Sequence, residues 1–165
     1  MGRAIYVSSV NGDDANSGYA PEKAFRSLRK VNQMEIQPGD QILLERGSVF
    51  AGEYLHLYKG GTKEAPVVVD AYGEGALPRI EADGNGIWYQ NYGGHLDNVV
   101  HTWKGYLSSA VLLYDAEYIT VRNLEITNDP LVKNERMNQA DRMNRTGVSV
   151  IAQNHGTLHQ IELAY

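Results

Sequence analysis

The feature of this sequence that most restricts its fold is a pattern of aliphatic residues that occurs twice. Val121-x-x-Leu124-x-Ile126 recurs as Leu158-x-x-Ile161-x-Leu163, 37 positions later, and another apolar segment precedes each copy, at 111–113 and at 148–151. In a coiled parallel sheet, each turn of the chain stacks its inward aliphatic residues on those of the turn before, so similar residues recur at equivalent positions. A β-sandwich gives alternation along its strands but needs no repeat. The repeat therefore favours a parallel β-helix over a sandwich.

Short strand-like segments separated by Gly, Asn and Asp fill the chain from residue 41 onward. They lie at 41–46, 54–57, 67–71, 79–82, 111–114, 118–121, 124–127, 148–152 and 158–163. Between them we find no second convincing helix, and the helical crossovers of a Rossmann-like α/β sheet are therefore absent from the pattern. The fold class predicted is all-β.

The first forty residues differ from the rest. A strand is predicted at 4–9, followed by a turn cluster at 11–18 in which Asx side chains bond the backbone. Its Asp residues do not complete the EF-hand calcium pattern, because no Glu stands at the closing position. Pro21 begins the one good helix candidate, 21–34, where Phe25, Leu28 and Val31 form an apolar stripe. An amphipathic helix here would cap the end of a solenoid.

Composition excludes several classes of protein. The formal charge is −5 without a basic stripe, which argues against a nucleic-acid partner. No apolar run approaches the ~20 residues that span a bilayer, so no membrane partner is expected. The chain has no cysteine, which excludes disulfides and thiolate metal sites. No signal peptide is visible, so the protein is cytoplasmic, or secreted or cell-surface if a leader was removed.

One long excursion interrupts the strands. A compact circuit of the chain needs only ~20–25 residues, because three short strands and their turns complete it. Residues 129–145 break the pattern with acidic, basic and amide side chains. Excursions on a regular scaffold are where binding sites tend to lie, although a solvated surface loop explains this segment equally well.

The chain resembles the pectate-lyase-like superfamily of right-handed parallel β-helices over nearly its whole length. The motifs that carry the resemblance are IYVS at 5–8, NGD at 11–13, NSG at 16–18, PxxAFxSL at 21–28, IxPGDxILL at 36–44, GSVF at 47–50, GTxxAPVVV at 61–69 and YITVRNLEITN at 118–128. Within the superfamily it looks most like bacterial glycan-degrading members such as the β-helix lacto-N-biosidases. The resemblance implies one domain over 1–165, with a cap at 1–40, first coils at 41–165, and excursions near 86–108 and 129–146.

The resemblance also implies a carbohydrate-active enzyme, a glycoside hydrolase cleaving an oligosaccharide or a host or plant glycan. Such enzymes carry their catalytic residues further along the helix, so at least one is expected beyond Tyr165, and the 165 residues alone are expected to be inactive. An exposed last coil would be an aggregation risk. We therefore expect the remainder of the β-helix or a partner chain to cover it.

Glycoside hydrolysis needs two carboxyl groups. The candidates that follow strand ends are Asp70, Asp83, Asp115 and Asp129, and a turn role fits each of them better than catalysis. Among them Asp129 is the best catalytic candidate because it opens the long excursion. A polysaccharide lyase acting on a uronate polymer is an alternative, with Arg122, Arg142 or Arg145 as its base. Calcium is expected only in that case, and otherwise no cofactor.

The most unusual stretch, 86–106, holds both tryptophans of the chain. Aromatic faces stack on sugar rings, and polar side chains contact hydroxyls, so a substrate site is predicted here and at the excursion. Its residues are Trp88, Tyr89, Tyr92, His95, Trp103, Asn128 and Arg142. The alternative for this stretch is that its aromatic side chains pack a loop against the scaffold. The alternative for the whole chain is a non-catalytic carbohydrate-binding or scaffold module. No metal is predicted, because His95 and His101 lack a helical spacing and a third ligand.

Overall fold

The computed structural model describes residues 2–91, 104–129 and 143–165. Over these ranges the chain is nearly all β, with one five-residue α-helix and one turn of 3-10 helix at Pro21–Lys23. None of the helices in the described ranges is long and apolar enough to cross a membrane. Tyr92, His95, Trp103 and Arg142 lie outside the described residues, so the predictions for these four residues remain predictions.

Twelve strands are found in the described ranges. They are β1 Ala4–Val7, β2 Gln41–Glu45, β3 Val49–Ala51, β4 Leu55–Leu57, β5 Val67–Tyr72, β6 Arg79–Glu81, β7 Ile87–Asn91, β8 Lys104–Tyr114, β9 Ile119–Arg122, β10 Glu125–Thr127, β11 Asn144–Ile151 and β12 Ile161–Ala164. The helix α1 spans Leu28–Asn32. Ten of these strands overlap predicted segments, and nine of the ten agree to within a few residues. The tenth, β8, begins well before its predicted segment. No segment was predicted at β3 or β7.

The strands form three sheets, ordered β1-β2-β5-β9-β12, β10-β6-β3 and β11-β8-β4. Every pair in these three orders is parallel. From β2 onward the chain enters the three sheets in turn: β2-β3-β4, then β5-β6-β8, then β9-β10-β11, with β12 returning to the first sheet. β7 stands outside this order and pairs antiparallel with β8. Each circuit of the chain therefore stacks on the previous one.

Rows of aliphatic side chains run across the sheets and form the core. In the first sheet the register aligns Ile5 with Ile42, Val69, Val121 and Leu163. The first four are buried, whereas Leu163 on the last strand is 53% exposed. Because strand side chains alternate between faces, alternate residues of β1, β2, β5 and β9 enter this core. The predicted stacking of inward aliphatic residues is thus present.

The repeat that suggested this stacking is only half correct in register. β11 pairs with β8 at the predicted offset, and Ser109 and Thr146 are partners 37 positions apart. In the next strand pair, however, Thr120 meets Glu162 at an offset of 42. Leu163 therefore stacks on Val121, and its predicted alignment with Ile126 is wrong. The offset changes because the turn after β11 is longer than the turn after β8. The sequence does not distinguish an offset of 37 from one of 42, because β9 and β10 are adjacent and have similar aliphatic spacing.

The predicted helix over 21–34 is much shorter than expected. Phe25 is extended and pairs with β1: its N–H donates to Tyr6 O at 2.9 Å, and its carbonyl accepts from Ser8 N–H at 2.8 Å. Asp14 Oδ1 accepts the N–H groups of Arg26 and Ser27, both at 2.9 Å. These bonds hold residues 25–27 in an extended conformation, so the helix begins only at Leu28.

The short helix nevertheless covers a sheet edge. Leu28 and Val31 are buried in the main core. The Asn32 amide donates to Tyr54 O at 2.9 Å, and its Oδ1 accepts from His56 N–H at 2.9 Å. The Asn32 side chain thus bonds to the backbone at the free edge of β4, the outer strand of the third sheet. Without these bonds, the Tyr54 carbonyl and the His56 N–H would be free to pair with a strand of another chain.

Candidate functional site

The hairpin of β7 and β8 carries two of the residues predicted to bind substrate, and it places them on opposite faces. The register pairs Trp88 with Leu107 and Tyr89 with Tyr106. Trp88 is 8% exposed and packs with Leu112 and Ile151 in a small second core. Trp88 therefore packs against the scaffold, as the alternative to a substrate-binding role predicted.

The opposite face of this hairpin points to solvent. It consists of Ile87, Tyr89 and Tyr106, which are 57%, 50% and 67% exposed, and we call it the hairpin face. The two tyrosine rings meet edge to face, with centroids 5.1 Å apart and planes inclined at 66°. Because residues two apart on a strand share a face, Ser108 lies on the same side as Tyr106.

Ser108 connects the hairpin face to Asn128. The Asn128 amide nitrogen donates to Ser108 Oγ at 2.9 Å and to Thr146 O at 3.0 Å. Its Oδ1 accepts from Gly84 N–H at 2.8 Å. The amide therefore joins two successive circuits of the chain, and a structural role accounts for its bonds. That Asn128 binds substrate stays a prediction.

Asp129 follows at once and lies beside an arginine. Arg145 donates from Nη1 to the Asp129 backbone carbonyl at 2.8 Å. The guanidinium lies against Gly84, where a Cβ would stand 2.8 Å from Arg145 Cζ. Arg145 is the register partner of Ser108, and Ser108 is in turn the partner of Ile87. The start of the long excursion, its arginine and the hairpin face therefore adjoin one another.

The other aspartates that follow strands organise turns. Asp70 accepts from Arg122 Nε and Asn123 Nδ2, both at 2.7 Å. Burial alone raises the pKa of Asp70, but these hydrogen bonds outweigh it and hold the pKa below its usual value. Asp83 has a left-handed backbone, with φ of 50°. Asp83 therefore has the predicted turn role, whereas that prediction is wrong for Asp70, which lies within β5 because the strand continues to Tyr72.

Asp115 has the same function one turn further along. It has φ of 49°, and its carboxylate accepts the N–H groups of Gln153 at 2.7 Å and Asn154 at 2.9 Å in the next circuit. Burial by itself raises the pKa of Asp115, yet the bonds from Asn154 and its neighbours lower it overall. Its carboxylate therefore holds two successive turns together and is committed to the scaffold.

Beneath the hairpin lies a polar cluster that sequence reasoning missed. Trp88 Nε1–H donates to Ser109 Oγ at 2.8 Å. The Ser109, Thr146 and Ser149 hydroxyls lie 2.7–2.8 Å from one another. His56 Nε2 lies 2.9 Å from Ser109 O, and burial lowers the pKa of His56. Ser109 and Thr146 stand at equivalent positions of two circuits. Aligning the two copies of the repeat would therefore have placed these hydroxyl side chains next to each other.

Two solved structures and one further relative that are similar to this chain share a name. A protein of Bifidobacterium longum subsp. longum is 38% identical over 186 residues, covering 98% of this chain and 12% of the relative. Two crystal structures from Eubacterium ramulus, native and selenomethionine forms of a GH136 enzyme, are 55% identical with TM-scores of 0.90 and 0.91. They cover 98% and 99% of this chain and 26% of theirs. These relatives are lacto-N-biosidases. No family model matches the chain.

The lacto-N-biosidases are glycoside hydrolases, so this chain has carbohydrate hydrolases as its homologues. The chain spans about a quarter of the length of the solved relatives. Within that part, Asn128 bonds to Ser108, the register partner of Ile87 on the hairpin face. Asp129 lies next to Asn128 and bonds to Arg145, whereas Trp88 turns to the other face of the hairpin. Over the described residues, no group of three or more His, Asp or Glu side chains is placed to hold a metal ion.

Proposed function

We propose that this chain is part of a glycoside hydrolase built as a right-handed parallel β-helix and acting on an oligosaccharide or a host or plant glycan. The observation that carries the proposal is the similarity to a lacto-N-biosidase structure, at 55% identity across 99% of the chain with a TM-score of 0.91. The three parallel sheets, entered in the same order in each circuit, support the β-helix.

The proposed substrate site uses the open side of the hairpin and the start of the excursion. Tyr89 supports it through its exposed ring, and Asn128 through its position between Ser108 and Asp129. Tyr92, His95, Trp103 and Arg142 belong to the same proposal from their sequence positions alone. Trp88 contributes indirectly, because it anchors the strand that presents Tyr89.

The proposed chemistry is two-carboxylate acid–base catalysis. One carboxylic acid would protonate the leaving oxygen, and a carboxylate would act as nucleophile or base. Adjacent parallel strands lie ~4.8 Å apart, close to the ~5–5.5 Å between carboxyl groups of retaining glycosidases. Asp129 is our candidate for one of the pair, because Asp70 and Asp115 are bound into turns. We place the other carboxylate outside the 165 residues, and no metal or cofactor is required.

The test is hydrolysis by the complete natural polypeptide. We expect release of a reducing sugar from a panel of neutral and N-acetylated oligosaccharides, and an Asp129→Asn variant should lose at least ~100-fold in rate. Asp83→Asn is the matched control, since Asp83 also follows a strand and lies in a turn.

Three outcomes would contradict the proposal. An unsaturated uronate product, detected by its ultraviolet absorbance, would indicate a lyase. Glycan binding without cleavage would indicate a non-catalytic binding module. Full activity in the Asp129→Asn variant would remove Asp129 from the mechanism and leave the hydrolase itself standing.

A further inference from the structure

The hairpin face is an aromatic surface that the fold holds open. Trp88 and Leu107 bind one side of the hairpin to the second core. That anchoring fixes the two strands, so Tyr89 and Tyr106 are presented on a rigid support with half or more of each side chain in water. Among the described residues, neither Tyr89 nor Tyr106 belongs to a hydrophobic core cluster, so the two tyrosines are held by their strands.

The geometry of the ring pair suits stacking. In an edge-to-face pair, the edge of one ring meets the face of the other, so each ring keeps at least one face that its partner does not cover. Tyrosine offers a flat apolar face and a hydroxyl, and it has few rotatable bonds to immobilise on binding. This combination matches a sugar ring, which has an apolar face and a polar rim.

The surroundings of the pair favour a sugar over a protein. Exposed Asn91 and Lys104 form a register pair two positions beyond Tyr89 and Tyr106, and therefore lie on the same face. Ser108 is fully buried and connects this side of the hairpin to Asn128. An aromatic centre beside exposed amide and ammonium groups is typical of a polar ligand site. Its exposed apolar area is on the order of 300–400 Å², well below the ~800 Å² per partner of a stable protein interface.

We propose that Tyr89 and Tyr106 form a sugar-stacking platform that holds a glycan beside Asp129. Tyr106 is thereby assigned a role that the sequence pattern alone did not give it. The choice of a glycan rests on the proposed function, whereas the platform itself rests on exposure, ring geometry and the register with Ser108.

The experiment measures glycan binding by the full 165-residue chain, without catalysis. The chain is applied to an array of neutral, N-acetylated and uronic-acid oligosaccharides, including chains that end in lacto-N-biose, and the strongest ligand is titrated by calorimetry. The Tyr89→Leu/Tyr106→Leu variant, which keeps apolar bulk but removes both rings, should weaken binding at least about tenfold. Tyr19→Leu is the matched control, because Tyr19 is equally exposed at 50%. Circular dichroism and urea unfolding of each variant verify its fold.

No binding to any glycan, or equal binding by the double variant, would overturn the platform. So would a self-association of the chain that the double variant abolishes, since the face would then be a contact between copies. If the double variant does not fold, Tyr89→Phe/Tyr106→Phe decides, because it keeps the stacking faces and should bind within about threefold of the original chain. Binding that depends on the two rings in a polypeptide that cleaves no glycan would leave the platform intact and refute only the hydrolase.

Discussion

Trp88 donates its indole N–H to Ser109 Oγ at 2.8 Å, which ties the hairpin to the hydroxyl cluster of the third sheet. The same indole lies 6.0 Å, centroid to centroid, from the Tyr114 ring in an edge-to-face contact. This residue therefore fixes the hairpin through both a hydrogen bond and apolar burial. Each contribution can be removed separately.

Replacing Trp88 should separate these two contributions. Trp88→Phe keeps an aromatic ring but loses the donor, and we expect a loss of about 1–2 kcal/mol in the free energy of unfolding. Trp88→Ala also leaves a cavity and should cost about 3–5 kcal/mol. Equilibrium urea unfolding measures both, with Tyr19→Phe as a control expected to stay within ~0.5 kcal/mol. Equal losses for Phe and Ala would show that packing contributes little.

The Arg3–Asp40 pair should make stability depend on acid pH. Asp40 is fully buried, and although burial raises its pKa, hydrogen bonds from Arg3 and from the Gln37 N–H lower the pKa overall. A depressed carboxyl pKa stabilises the fold above the unfolded value near 4, and this stability is lost as the pH falls through the folded value. Asp40→Asn should cost about 2 kcal/mol at pH 7 and reduce the slope of stability between pH 4 and 2. An unchanged slope in urea unfolding would contradict the assignment.

His56 should produce a second, separate pH dependence. Burial lowers its pKa, so the folded state keeps the imidazole neutral while the unfolded chain takes up a proton below about pH 6.5. Stability should therefore decrease as the pH falls from 6.5 toward the folded pKa. His56→Gln, whose amide can still donate to Ser109 O, should remove that decrease. Nuclear magnetic resonance titration of the His56 ring provides the direct check, and a midpoint at or above 6.5 would refute it.

Gly84 should tolerate alanine worse than a glycine of the same backbone conformation. Gly84 has φ of +84° and the Arg145 guanidinium against it, whereas Gly47 has φ of +83° and nothing within 4 Å of its added Cβ. Gly47→Ala should cost about 1–2 kcal/mol from backbone strain alone, and Gly84→Ala should cost more. Adding Arg145→Ala to Gly84→Ala should remove the extra cost at Gly84. Thermal unfolding of Gly47→Ala, Gly84→Ala, Arg145→Ala and the Gly84→Ala/Arg145→Ala double variant measures this. Equal costs at Gly47 and Gly84 would show that the arginine simply moves aside.

The inward strand positions were predictable because each depends on local alternation. Ile42, Val69 and Val121 each lie in a strand in which inward and outward side chains alternate. Their burial requires only that one face of the strand meets the core. The helix boundary was not predictable, because Phe25 has an apolar helical spacing with Leu28 yet pairs with β1. Its N–H donates to Tyr6 O and its carbonyl accepts from Ser8 N–H, and both residues lie far from it in sequence.

The candidate site shows the same division. That the aromatic stretch would matter was visible in its composition, but which ring is buried depends on the β7–β8 register, and that register joins segments on either side of residues 92–103. Asn128 was likewise predicted to bind substrate, and only the tertiary structure shows that Gly84 and Thr146, distant in sequence, bond to its amide.

By itself, the sequence determined the all-β character, the aliphatic stacking, the turn positions of Asp83 and Asp115, and a resemblance to glycan-degrading β-helix proteins. The first three follow from periodicity and from backbone preferences, which act over a few residues, whereas the resemblance rests on motifs spread along the chain. The tertiary structure decided the 42-position offset of the last strand pair, the short helix, and the opposite orientations of Trp88 and Tyr89. Each of these depends on a partner that lies at least 12 positions away, and contacts over that distance are set by the fold as a whole.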